Sequence, residues 1–150
     1  MFSLIITIIS IALVAALAVA TIYYGGSAFT QGTAKANASA LVSAAQQVQG
    51  ADTLFQNDNG GNHADDVQAL VTGSYLQSEP TLPASVTAFG IADGLVTATV
   101  TGDSVCEAIV KSAGGTEIGA ARTTTRAYDC YGTAGAYTFE FGTAPAVVTP

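Results

Sequence analysis

The chain has 150 residues and a formal net charge of −7, with four cations (Lys35, Lys111, Arg122, Arg126) against eleven acids. No cluster of Lys and Arg exists to hold phosphates, which excludes nucleic acid as a primary partner. Trp is absent and Gly, Ala and Thr are abundant, a composition that fits a β-containing extracytoplasmic domain better than a charged cytosolic enzyme.

The apolar residues are not spread evenly. Phe2 to Ile22 reads FSLIITIISIALVAALAVATI, without a charge, Pro or Gly, and the first charged residue is Lys35. As a helix rising 1.5 Å per residue this run is about 31 Å long, close to the hydrocarbon thickness of a bilayer. Three readings of residues 1–24 compete. A signal peptide finds small-x-small sites at Ala16-Leu17-Ala18 and Ala18-Val19-Ala20, but no Lys or Arg precedes the run. A single-pass anchor also lacks a flanking positive charge. The third reading is a helix that begins in a membrane and ends in a bundle of its own copies. A basic leader removed ahead of Met1 accounts for the missing charge. Ala12, Ala15, Ala16, Ala18 and Ala20 allow close helix approach. On this reading Phe2, Leu4, Ile5, Ile8, Ile9, Ala12, Leu13, Ala16, Leu17 and Ala20 form the assembly helix.

Tyr23 and Tyr24 suit a membrane interface. Gly25 and Gly26 each cost a helix about 1 kcal/mol relative to Ala, which predicts a break there and a loosened segment over 25–32. From residue 33 to 150 the chain reads as one globular head. Ala34, Ala38, Leu41, Ala45 and Val48 recur at helical spacing, predicting an amphipathic helix over 33–49 that stops at Gly50. Residues 50–66 read as a polar loop. Asn57, Asp58, Asn59, Asn62, Asp65 and Asp66 invite a calcium reading, but EF-hand spacing is not met and no Glu closes the loop, so a solvated turn is favoured. His63 reads as an exposed loop residue. Asp65 or Asp66 is placed to cap a short helix over 67–71 that ends near Gly73.

Beyond Pro80 and Pro83 the sheet region, 86–141, begins. Val86–Ile91 and Leu95–Thr101 flank a turn at Ala92-Asp93-Gly94, a hairpin signal. Ser104-Val105-Cys106-Glu107 reads as a capping box opening a helix to Ser112, stopped by Gly114-Gly115. Residues 116–126 carry a weak strand-plus-loop signal. Tyr137–Phe141 alternates aromatic and polar residues as a last strand, and the tail APAVVTP reads as irregular. Cys106 and Cys130 are an even pair in a domain expected outside the membrane, which favours a disulfide over two buried free thiols. A metal pair is disfavoured by the single His and the wide Cys spacing.

No catalytic constellation is present. A hydrolytic relay would rest on His63 alone. Asp65 and Asp66 are sequence neighbours that point to different faces, and neither a P-loop nor a dinucleotide fingerprint occurs. The reading is therefore of a non-enzyme without cofactors.

The order apolar helix, amphipathic helix, loop, antiparallel strands and late Cys pair resembles type IV pilins, above all the type IVb group that includes conjugative-plasmid pilins. Val100 to Val110 (VTGDSVCEAIV) looks like that group's strand, turn, Cys and short helix. Asp129-Cys130 followed by Tyr137-Thr138-Phe139-Glu140-Phe141 looks like its second Cys and closing strand. Leu70 to Pro83 resembles the helix-to-sheet approach of pilin-like proteins. Counting from Met1, Ile5 stands where most of the family carries a Glu.

The resemblance implies an α+β pilin fold: a long N-terminal helix, apolar in its first half, packed on a small antiparallel sheet closed by a disulfide. It also implies a major pilin polymerising into a surface pilus, with a minor pilin or pseudopilin, or an anchored adhesin, as alternatives. The implied partners are identical subunits in a filament, a membrane before assembly, inner-membrane assembly machinery and a prepilin peptidase.

Overall fold

A computed structural model describes residues 2–142, which fall into two compact units that divide after Thr33. The tail APAVVTP and the question of Met1 as the mature terminus lie outside the described residues. The element order is α1 (Phe2–Asp58), α2 (Val67–Thr72), β1 (Gly90–Ala92), β2 (Leu95–Val100), α3 (Asp103–Ser112), β3 (Tyr128–Thr133) and β4 (Ala136–Phe141).

The backbone stays helical through Gly25 and Gly26, so the expected break and the loosened segment 25–32 are corrected. Glycine's penalty is a propensity and not a prohibition. A helix already nucleated on both sides needs no new nucleus to pass two glycines. Thr30 Oγ1 donates to the Gly26 carbonyl at 2.7 Å within the helical turn.

Gly50 does not stop the helix either. The buried stripe Ala34, Ala38, Leu41, Ala45 and Val48 continues into Ala51 and Asp52, so leaving the helix at Gly50 would strip those residues of their packing. The stop comes ten residues later. There Gly60 takes a positive φ of 68°, and the Gly61 amide donates to the Gln56 carbonyl at 2.9 Å, the left-handed cap that glycine favours. The polar loop is therefore shorter than 50–66 and begins after Asp58.

The second half of α1 packs on a four-stranded antiparallel sheet of order β1-β2-β4-β3. Asp93 and Gly94, both with positive φ, close the two-residue turn between Ala92 and Leu95. Such a turn matches the right-handed twist of its strands. β4 enters the centre of the sheet, pairing Ala98 with Phe139 on one side and Cys130 with Phe139 on the other. Val96, Ala98, Val100, Tyr137, Phe139 and Phe141 alternate into one face, where they meet Leu41, Val48, Leu70, Ile109 and Val110 in a single core.

The strand expected over Val86–Ile91 is interrupted. Val86 bridges Val100 and Gly90 pairs with Thr97, so three residues (87–89) stand opposite two (98–99). This bulge turns Phe89 into the core, while Thr87 Oγ1 accepts from the Thr99 amide at 3.0 Å.

Asp66 caps α2, its Oδ1 accepting from the Ala69 amide at 2.7 Å. α3 begins two residues before the proposed capping box. Gly102 is its N-cap, and Glu107 pairs with Lys111 at 2.7 Å instead of reaching back. Asp103 in the first turn favours that start through the helix dipole. At the other end Gly114 takes φ 84°, and the Gly115 amide donates to the Val110 carbonyl.

Cys106 of α3 and Cys130 of β3 form a disulfide with a Cα–Cα distance of 5.5 Å, and both are fully buried. Closing a loop with a sequence separation of 24 stabilises the head by about 3 kcal/mol on the chain-entropy account. Cys106→Ser should lower its unfolding free energy by about that amount in denaturant titrations. An unchanged midpoint under oxidising conditions would contradict this role.

Candidate functional site

Among residues 2–33 no described residue is buried. The predicted assembly positions Phe2, Leu4, Ile5, Ile8, Ile9, Leu13 and Leu17 are exposed by 53% (Ile5) to 84% (Phe2), and Ala12, Ala16 and Ala20 are exposed beside them. Three of the four hydroxyls in residues 2–22 are turned inward to the backbone. Thr7 Oγ1 donates to the Ser3 carbonyl at 2.8 Å, Ser10 Oγ to the Ile6 carbonyl at 2.8 Å and Thr21 Oγ1 to the Ala18 carbonyl at 2.9 Å. These three hydroxyls need nothing from water, so they can enter lipid or a protein interior without being orphaned as donors. By length and composition α1 is able to cross a membrane. Soluble monomers rarely leave so large a continuous apolar surface uncovered.

The second feature is a polar pocket in the head, about 300 Å³, lined by Gln49, Asp52, Thr53, Gln56, His63, Asp93 and Gly94. Four of these sit on one face of α1 at helical spacing, with His63 from the following loop and Asp93-Gly94 from the β1–β2 turn. His63 lies at the surface, as expected, but it is engaged. Its Nδ1 is 2.6 Å from Asp52 Oδ2, and its Nε2 is 3.2 Å from Gln56 Nε2. The carboxylate of Asp52 is buried, and its Oδ1 accepts from the Ala64 amide at 2.8 Å. A Cβ on Gly94 would stand 2.5 Å from His63 Cε1, so the imidazole presses directly on the β-turn. The pair thus ties the end of α1, the loop and the sheet together. Among the described residues no group of three or more His, Cys, Asp or Glu is placed to hold a metal ion.

The third feature covers the outer face of the sheet at β3 and β4. Arg122 Nη1 pairs with Glu140 Oε2 at 3.1 Å, and its Nη2 donates to the Gly142 carbonyl. Arg126 Nη1 pairs with Asp129 Oδ1 at 3.0 Å, while the Thr123 amide donates to Asp129 Oδ2 at 2.8 Å. Tyr131 OH donates to Glu140 Oε1 at 2.6 Å. These contacts fasten the segment before β3 as a polar cover. They explain why 116–126 holds only a single bridge, Gly119 to Tyr131, and no strand. Burying Asp129 is tolerable because two amides and a guanidinium satisfy it.

Comparison of the chain with protein-family models, with curated proteins and with solved structures finds no match.

Sequence reasoning placed the apolar helix and the Cys pair but missed the Asp52–His63 pair and the Arg122–Glu140–Tyr131 cluster. Asp52 stands within the helical stripe that follows Val48, a spacing that flags it as a buried carboxylate in need of a partner. For Arg122 and Glu140 no sequence signal exists, since strand pairing alone brings them together.

Burial pushes the Tyr131 phenol up to about 12, reinforced by its hydrogen bond to Glu140 and opposed by Arg122. Because the folded value lies above the ordinary 10.0, the stability tied to this phenol is fully present below pH 10. It is lost as pH rises from about 10 to about 12. The Tyr75 and Tyr137 phenols are raised as well, so an ultraviolet titration should show a tyrosine phase at about pH 12 that Tyr131→Phe removes. A Tyr131→Phe protein with the same late phase would contradict the assignment.

Proposed function

We propose that this chain is the structural subunit of a type IV pilus-like filament, a major pilin on the bacterial cell surface. In this account residues 2–22 hold it in the inner membrane before assembly and lie against identical helices afterwards. One observation carries the reading: an apolar helix surface with three of its four hydroxyls bonded to its own backbone and none of its described residues buried. That surface belongs to a chain whose head is an α+β unit closed by a disulfide. The resemblance of residues 100–110, 129–130 and 137–141 to the type IVb pilins, and of 70–83 to pilin-like proteins, supports the same reading.

The energetics follow from the solvent the helix leaves. Covering such a run removes on the order of 1,500–2,000 Å² of apolar surface, tens of kcal/mol relative to water before ordering costs. Relative to lipid the gain is far smaller, because acyl chains are as apolar as Leu. Extraction from the bilayer therefore calls for an energy-coupled assembly machine, and the finished filament is held by water's exclusion from the bundle. Alanines at 12, 16 and 20 set how closely neighbouring helices approach, and the bulky Ile and Leu between them fill the spaces.

Shearing cells that express the chain and imaging the released material tests the reading. Filaments with this chain as their main component are expected. A chain present only at trace level in filaments indicates a minor pilin. A chain that stays wholly with the membrane contradicts the pilin account and indicates an anchored surface module.

A further inference from the structure

Three of the four cations are consumed inside the subunit: Lys111 by Glu107, Arg122 by Glu140 and Arg126 by Asp129. Lys35 is exposed and, among the described residues, has no ion-pair or hydrogen-bond partner. It is also the first charge in the chain. Between residues 2 and 33 nothing but packing can distinguish one axial position of two such helices from the next. Small residues repeated along a smooth apolar rod leave that register weakly defined.

The pocket of the head supplies a matching acceptor. Asp93 lies at its rim on the β1–β2 turn, exposed and, among the described residues, without a partner. Thr53 already donates its hydroxyl to the Gln49 carbonyl at 2.9 Å, so its oxygen is left to accept. The side-chain amides of Gln49 and Gln56 line the same space. The remaining wall is held by the Asp52–His63 pair, which is occupied with itself and with Ala64. A small space edged by a free carboxylate, a hydroxyl and two amides is built for an ammonium group, which offers three donors and no acceptor.

Lys35 cannot reach the pocket of its own subunit. It lies on the same face of α1 as Thr53 but about five turns, or about 27 Å, away along the helix. We propose that the Lys35 ammonium of one subunit docks beside Asp93 in the pocket of a neighbouring copy, and that this contact fixes the axial register of the helices. The inference rests on the filament reading. An ammonium partly withdrawn from water between a carboxylate and neutral acceptors penalises every register that leaves either group unpaired.

The test uses unaltered filaments treated with a carbodiimide, which joins an amine to a carboxylate only when the two are in contact. Peptide mapping of the dimer band should identify a Lys35–Asp93 cross-link, which a single chain cannot form across about 27 Å. Filaments whose Lys35 is unlinked, or is linked to a different carboxylate, overturn the docking while leaving the pilin reading intact. Sheared material without filaments overturns both.

Discussion

The constraint on which the molecule turns is an apolar surface that its own fold does not cover. From Phe2 to Ile22 there is no charge and, among the described residues, no buried side chain, while the hydroxyls of Thr7, Ser10 and Thr21 bond back to their own helix. Water is the one surrounding this surface cannot tolerate at length. A bilayer satisfies it and so does a bundle of identical helices, and because the two environments are similarly apolar, passage from one to the other gains little free energy by itself. The length and apolarity that let α1 cross a membrane are also what the proposed transfer of residues 2–22 into a filament rests on.

The head has a core of its own. Its core joins the second half of α1 to the inner face of the sheet, with Phe139 on β4 at the centre and the Cys106–Cys130 bridge linking α3 to β3. Polar closures secure the edges. Asp52 and His63 hold the end of α1 against the β1–β2 turn, and Arg122 and Arg126 fasten the segment before β3 over the outer face. Each closure satisfies a buried carboxylate or carbonyl that would otherwise destabilise the domain. A domain that is complete in this sense can be carried from one environment to another without refolding.

What the sequence discloses tracks the range of the interactions involved. The stripe Ala34, Ala38, Leu41, Ala45 and Val48 is legible because helical period and burial coincide. The Asp-Gly turn at 93–94 and the stop at Gly114 are legible because few other residues adopt those backbone angles. The glycines at 25, 26 and 50 mislead for the complementary reason. Their side-chain-free backbone permits a break without requiring one, and the residues on either side decide. β3 is hard to read, since Asp129 and Gly132 interrupt its alternation and the burial of Asp129 depends on Arg126 and Thr123. The Arg122–Glu140 and Asp52–His63 contacts depend on chain segments meeting in three dimensions, which local patterning does not encode.

The central claim, that copies of residues 2–22 cover one another, is tested most directly by a helical reconstruction of the sheared material at side-chain resolution. The account predicts residues 2–22 as continuous helices along the filament axis, with Ala12, Ala16 and Ala20 facing neighbouring helices and no lipid among them. A reconstruction in which these residues lie on the outer surface, or a chain found only as single copies in bilayer, would contradict it.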